Sequence, residues 1–595
     1  MKATLRIGNC SGFYGDRFSA AREMVEGGEL DVLTGDYLAE LTMFILWKAR
    51  SAGRPGYAVT FLRQMEEVLS TCVERDIRIV TNAGGLDPAG LARDLSSLAG
   101  EVGIDLNVAY VTGDDLLPRL GELSAAGHTF TNLDTGVRLD SSGLAPVTAN
   151  AYLGGRGIAA ALDHGAQVVI CPRVTDASLV VGPALWNFGW AEDDFDAIAG
   201  AIAAGHIIEC GAQASGGNYA RFDEVPDLVL PGFPIAEVRR DGSATITKHP
   251  GSPGQVSIGT VTAQLVYEVA GVEYPNPDAV LLLDTLHVEE EGPDRVRISG
   301  AKGLPAPSSA KVSMSCLGPH RQSVGFGITG SHVEAKAELL KKGMLATLAD
   351  VSCFDDISWR LVRTDRADAP TNELALARYL VTFTAKDNKV LGRRIFDAAI
   401  GLALSSFPGF FLLEDSQRRS SQSGIHWPCL IPRAELSETV HLMDGSTLSI
   451  AQPFCGVGEP TGGRPARDPG PRRVSSYGET VRVMLGEVLA ARSGDKGANA
   501  NVGLWACDDA GYEWMRATLT VDAFRALMPE ADELPITVTE LPNLKALNFV
   551  VHGLLGDGAA SVARFDSQAK GLAEYILSRE VDVPLVLVPQ SKDVA

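Results

Sequence analysis

The stretch IRIVTNAGGLDPAGLARDL, Ile77–Leu95, decides the fold. Ile77–Thr81 is a short β-branched run bounded by turn residues, which predicts a buried strand. NAGG then breaks the strand. Asp87 before Pro88 is a helix start, with the carboxylate as cap and proline at the first helical position. The same strand–loop–helix rhythm recurs around it. Thr4–Ile7 is followed by a Gly-rich loop and a helix from about Ser19. Leu30–Leu33 leads into GDYLAE and an apolar helix. Leu106–Val111 is a further strand, and Gln167–Cys171 follows the helical Leu153–His164 and runs into PRVTDAS. Alternation of this kind predicts a parallel α/β sheet, with ligands at the carboxyl ends of its strands.

Beyond about 223 the pattern changes. Thr245–His249, Ala279–Leu283 and Arg295–Ser299 are short strands, predicting a β-rich subdomain over about 223–330. Ser331–Leu348 and Asn372–Leu380 are read as helical. Residues 456–477 are rich in Pro, Gly and Arg without periodicity, as in a linker. The remaining 478–590 holds strand candidates at Thr480–Ala490, Ala517–Thr520, Ile536–Thr539 and Phe549–Leu554. Val521–Met528 and Gln568–Leu577 read as helices. A small α+β domain of split-βαβ, ferredoxin-like kind fits. The expected division is an α/β domain over 1–455, the linker, and the α+β domain over 478–590.

The chain has 595 residues, so two or three domains are expected. Its net charge of −22 argues against nucleic acid as a partner, but not against an anionic small molecule held by local Arg and Lys. Nine dispersed cysteines, without CxxC or zinc spacing, read as reduced thiols of a cytoplasmic protein. No signal-like start and no apolar run of spanning length is seen, so no membrane association is expected. A homo-oligomer is expected, of unspecified size.

Five polar loops carry candidate chemistry. In GNCSGFYGDR, Asn9, Ser11, Gly12 and Arg17 lie between a strand and a helix, a position suited to an anion; a tight turn capped by Asp16 is the alternative. In TGDYLAE, Asp36 is either a helix cap or a site carboxylate, with Glu40 one turn on. NAGGLDP offers Asn82 and the bare backbone of Gly84 and Gly85. PRVTDAS offers Arg173 for an anionic substrate and Asp176 for acid/base work, unless the two simply pair. GHIIECGAQASGGNY brings His206 and Glu209, spaced to share one helix face as an acid/base pair, with Gln213, Gly216, Gly217 and Asn218 following. No metal set is expected, because no third ligand has recognisable spacing. No tightly bound cofactor is expected either.

A sixth loop is ARSGDKGANANVG, Ala491–Gly503. Arg492, Ser493, Asp495, Lys496, Asn499 and Asn501 follow an apolar strand, and Asn548 stands at a later strand start. A loop so polar is either a solvated turn or a functional loop. Here it is expected to reach across to the amino-terminal cleft, or to a neighbouring subunit, and complete the site, with Asp495 and Lys496 as catalytic candidates.

Taken in order, GNCSGFYGDR, GDYLAELTM, NAGGLDP, PRVTDAS, GHIIECGAQASGGNY and QLVYEV resemble the acyclic terpene utilisation (AtuA) family. ARSGDKGANANVG with LPNLKALNFV resembles the ferredoxin-like domain that ends that family. Pro253-Gly254 stands where the family carries a Gly-Gly pair. The resemblance implies catabolism of citronellol- and geraniol-like terpenes through branched acyl-CoA thioesters. A CoA thioester or related carboxylate is then the expected substrate. A lyase of the hydratase/dehydratase kind is the leading expectation, with backbone at Gly84–Gly85 or Gly216–Gly217 as oxyanion donors. A carbon–carbon lyase or isomerase using Lys496, and a non-catalytic acyl-binding or scaffold subunit, stand as alternatives.

Overall fold

A computed structural model describes residues 2–453, 455–456 and 478–589; the linker expected at 456–477 lies outside them except for Gly456. Five parallel strands form the centre of the main sheet, in the order Thr4–Asn9, Val32–Gly35, Arg78–Thr81, Val168–Ile170, Val108–Thr112. Their side chains are buried on both faces, as helices on both sides require. The quoted stretch folds as read: Asp87 accepts from Gly90 N at 2.9 Å and Pro88 opens the helix Pro88–Glu101.

Two of the three strands expected in the β-rich subdomain extend this sheet. Pro234–Arg239 pairs antiparallel with Thr4–Asn9, and Ala244–Lys248, Arg295–Ser299 and His287–Gly292 continue outward. Hydrogen bonds left open at a sheet edge favour this addition over a free-standing layer. Val280–Leu282 lies in a small three-stranded sheet with Glu273–Pro275 and Lys302–Leu304. The chain divides into two compact units, 1–315 with 426–595, and 316–425. The second unit packs the helices Val333–Leu348 and Arg393–Ile400 on an antiparallel sheet around Phe326, Phe383 and Leu340. There the helix expected at Asn372–Leu380 is a strand, Leu376–Ala385. Its Tyr-Leu-Val-Thr-Phe-Thr run favours a pleated surface and outweighs the preceding Glu-Leu-Ala-Leu-Ala.

Residues 478–589 carry a four-stranded antiparallel sheet in the order Leu489–Lys496, Asn499–Ala506, Ala546–Val551, Ile536–Leu541. Ala546–Val551 lies between Asn499–Ala506 and Ile536–Leu541, which the helices Asp509–Thr518 and Val521–Leu527 connect: a split βαβ unit. The strand expected at Ala517–Thr520 is the junction of those helices, because Thr520 caps the second one by accepting from Ala523 N. The core of this part is built on Phe524 stacked on Phe549, with Met515, Leu547 and Ile576. No described helix is long and apolar enough to cross a membrane.

Candidate functional site

The carboxyl ends of the parallel strands carry the loops that the sequence singled out. Asp36 follows Val32–Gly35, Asn82 follows Arg78–Thr81, and Arg173 and Asp176 follow Val168–Ile170. His206 and Glu209 end the helix Phe195–Ile208. Asn9, at the end of the first strand, donates to the carbonyls of Ile208 at 2.6 Å and Glu209 at 3.0 Å, so the first loop fixes that helix end.

Arg173 is the hub. Its Nη1 donates to Asp176 Oδ1 at 2.8 Å and to the Leu38 carbonyl at 2.9 Å. Its Nη2 donates to the Tyr152 hydroxyl at 3.1 Å, and the guanidinium lies 4.4 Å over the Tyr152 ring. Tyr152 in turn donates to Glu40 Oε1 at 2.7 Å, and Lys311 Nζ stands 3.4 Å from the same oxygen. Three carboxyls crowd this guanidinium. Burial, then the charge of Asp176, pushes Asp36 well above the ordinary carboxyl range, although Asn82 Nδ2 donates to it at 2.5 Å. Burial, Asp176 and Glu268 do the same to Glu209. Burial also raises Asp176, against the pull of Arg173. Glu40 is the opposite case: burial would raise it, but Lys311, His426 and Arg173 hold it well below the usual range.

His206 Nδ1 lies 3.2 Å from Glu209 Oε1 and 3.3 Å from the Tyr274 hydroxyl. Burial lowers the imidazole to about 4. His206 Nε2 and Glu209 Oε2 are buried without a hydrogen-bond partner. Buried polar atoms are rarely left so.

The hairpin of Ala491–Gly503 closes this space from the other side. Lys496 Nζ donates to the Glu268 carbonyl at 2.6 Å, and burial, with Lys311 next, lowers its basicity. Asn501 accepts from Glu268 N at 2.8 Å and donates to the Val266 carbonyl at 3.2 Å; Asn548 donates to the Val269 carbonyl at 2.8 Å. Glu268 is held at φ +57°, a left-handed conformation unusual for glutamate. Gly494 is where backbone meets ring: a Cβ there would lie 2.3 Å from Tyr267 Cε2. Arg492 and Lys570 lie 4.7 and 4.6 Å from the centroid of that Tyr267 ring, and Lys570 Nζ bonds its hydroxyl. Burial, then Glu268, raises Asp495 to about 7.

These groups are not sealed in a core. Burial is the largest influence on Glu40, Asp176 and Lys311, yet their side chains keep 33 %, 26 % and 37 % of their surface accessible. A separate concavity of about 810 Å³ opens at the amino ends of the parallel strands, beside Lys2, Asp31, Arg78 and Trp190, and none of the acid/base residues lines it.

The structure thus brings together Asp36, Asn82, Arg173, Asp176, His206, Glu209, Asp495 and Lys496, with Arg492 bonded to Gln213 Oε1 and the Asn218 carbonyl. Other candidates are committed elsewhere. Arg17 pairs with Glu23, donates to the Pro231 carbonyl and covers Phe233, while the Gly12 N–H is taken by Asp16 and Ser11 Oγ bonds the Phe13 carbonyl. The N–H groups of Gly84, Gly85, Gly216 and Gly217 donate to the carbonyls of Cys171, Asn82, Gln213 and Ala212, so none is open as an oxyanion donor. Ser493 Oγ bonds the Ala569 carbonyl, and Asn499 bonds Asp134. The sequence reading did not single out Tyr152, Glu268, Tyr274, Lys311, His426 or Lys570 as site residues. Tyr267 and Glu268 sat within a quoted motif, QLVYEV, whereas Lys311 carries no local signal.

The family model for acyclic terpene utilisation family protein AtuA matches residues 5–442, and that for the AtuA ferredoxin-like domain matches 483–582. No curated protein matches the chain.

Proposed function

The chain belongs to the acyclic terpene utilisation family AtuA, and from that premise we propose that it is a cytoplasmic enzyme of the hydratase/dehydratase kind. Its substrate is a branched acyl-CoA thioester or the related carboxylic acid. One observation carries the reading: Asp36, Asp176 and Glu209 share a single guanidinium, Arg173, so the three carboxyls cannot all be ionised at neutral pH. Arg173 bonds Asp176 directly, which favours the carboxylate there. Glu209, whose side chain bonds His206 and no other described residue, is pushed by burial towards keeping its proton. Two adjacent groups of one chemical type are thereby split into a base and an acid, as addition or removal of water across a carbon–carbon bond needs.

In the dehydration direction Asp176 takes the proton next to the activated carbonyl and Glu209 protonates the departing hydroxyl. His206, neutral in its buried position, holds the Glu209 carboxyl, and the proton left on Asp176 is exchanged through water so that Glu209 is reprotonated before the next turnover. The Tyr274 hydroxyl is the donor assigned to the enolate oxygen, since the proton of Tyr152 is already given to Glu40. The test is incubation with branched 2,3-unsaturated and 3-hydroxy acids and their CoA thioesters in deuterated water. Incorporation at the carbon next to the carbonyl, lost about 100-fold or more in Glu209→Gln and Asp176→Asn, is the expected result. No incorporation and no water addition with any of these compounds overturns the reading.

A further inference from the structure

Lys496 and Lys311 lie near enough to influence each other, and among the described residues only Lys311 has a carboxylate within ion-pair distance. Lys311 lies near the start of the strand Ser309–Thr329, 3.4 Å from Glu40 Oε1 and 4.8 Å from the centroid of the Tyr152 ring. Lys496 ends the strand Leu489–Lys496, and its one hydrogen bond among the described residues is to a neutral acceptor, the Glu268 carbonyl. The hairpin tip sets the two strands together. A Cβ at Gly497 would lie 3.5 Å from His426 Nδ1, and His426 Nε2 is 3.1 Å from Ser313 Oγ, two residues beyond Lys311 on the same strand.

The neighbouring carboxylates do not neutralise Lys496. Glu40 is shared by Lys311 and Tyr152, and Asp176 is bonded to Arg173. Glu268 and Asp495 each stand 3.7 Å from Lys570. Glu209 and Asp36 are pushed towards the neutral form. Two like charges repel, and Lys311 is the second influence that depresses Lys496. An anion placed between them reverses that repulsion. A lysine ammonium is a compact charge suited to one oxygen of such an anion. A monoanion fits: with Lys311 already sharing Glu40, about one positive charge is left over, and a phosphate dianion would meet the Glu40 and Asp176 carboxylates.

We infer that Lys311 and Lys496 form a receptor for a carboxylate group of the ligand, so that the site takes a free branched carboxylic acid or the distal carboxylate of a dicarboxylic acid bound as its mono-thioester. The inference deepens the proposed function and rests on its placing of the reaction at this site. The chemistry is divided: the lysine pair holds the carboxylate, and the Asp176–Glu209 side faces the carbons next to it.

The test is isothermal titration of the full chain with three probes: 3-methylbut-2-enoate, its uncharged primary amide, and the mono-CoA thioester of 3-methylglutaric acid. The expected result is at least tenfold tighter binding of the acid or of the dicarboxylic mono-thioester than of the amide. That preference is expected to collapse below threefold in Lys496→Gln and Lys311→Gln, and to persist in Lys311→Arg, which keeps the charge. Tighter binding of the acid alone assigns the receptor to free acids; tighter binding of the mono-thioester alone assigns it to a distal carboxylate. Equal binding of acid and amide, binding of neither charged probe, or a preference unmoved by Lys496→Gln in a variant that melts like the parent overturns the inference. Glu209→Gln separates the two readings. Loss of turnover with the acid preference intact supports both, whereas a parent protein that discriminates but catalyses nothing refutes the proposed reaction alone.

Discussion

Replacing Asn501 by alanine removes the side chain that fastens the carboxy-terminal hairpin to the loop at Glu268. Asn501 is fully buried. Its Oδ1 accepts the Glu268 N–H at 2.8 Å, and its Nδ2 donates to the Val266 carbonyl at 3.2 Å and to Asn548 Oδ1. Alanine leaves the Glu268 N–H without its acceptor and forfeits two further bonds; Asn548 keeps its own bond to the Val269 carbonyl. A stranded donor costs about 1–3 kcal/mol and each lost net bond about 1 kcal/mol, so a total of about 2–4 kcal/mol is expected after partial relaxation. Glu268 also loses what holds it at φ +57°, and its carbonyl is the partner of Lys496. Stability and site therefore fail together. The assay is urea titration followed by tryptophan emission, since the Trp505 ring stacks on Tyr219 with centroids 6.3 Å apart across the docked surface. The transition should move to lower urea by that free energy, and the Lys496-dependent binding should weaken with it. Asn499→Ala, which loses a bond to Asp134 and one from Gly553 N, both in an exposed setting where water replaces them, is the control and should cost less than about 1 kcal/mol. A shift for Asn501→Ala no larger than the control's refutes the reasoning.

Arg173→Met should destabilise the protein by about 3–5 kcal/mol, because it leaves the Asp176 carboxylate buried without its partner; an unchanged urea midpoint contradicts the hub assignment. Gly494→Ala drives a methyl to 2.3 Å from Tyr267 Cε2 and should cost about 1–3 kcal/mol by forced displacement of the ring, read from the same titration. For Asp495, the folded-state value near 7 lies above its ordinary 3.8, so the folded chain binds more protons between the two. Stability from this group is present at acid pH and is lost as pH rises towards 7. Asp495→Asn should remove that slope, so the difference between variant and parent grows across pH 4–7 and is level above it; parallel curves refute the assignment.

Much of the fold was legible because local signals and the global arrangement agree. Asp87-Pro88 opens a helix in the structure as it does in the sequence, and the strands before each polar loop put those loops at one end of the sheet. The places where the reading failed have a shared cause. Leu376–Ala385 and Pro234–Arg239 are strands whose state or sheet is set by distant partners, which a local pattern does not contain.

The candidate site divides in the same way. Asp36, Arg173, Asp176, His206 and Glu209 were visible because each sits in a loop or helix end with a chemical reason to be polar. Lys311 was not, since one lysine inside a 21-residue strand is ordinarily a solvated residue. Tyr152 was not, because an aromatic next to a strand reads as core. What converts both into site residues is the pair of cations over one ring: Arg173 at 4.4 Å and Lys311 at 4.8 Å from the Tyr152 centroid, with Glu40 bonded to its hydroxyl. Two cations over one ring repel each other, and Glu40 and Asp176 offset that repulsion. The net charge of −22 for the chain is therefore no guide to this site. There burial pushes Asp36 and Glu209 towards the neutral form and Lys496 bonds a neutral carbonyl, so the local charge departs from that of the chain in the direction the proposed carboxylate ligand requires.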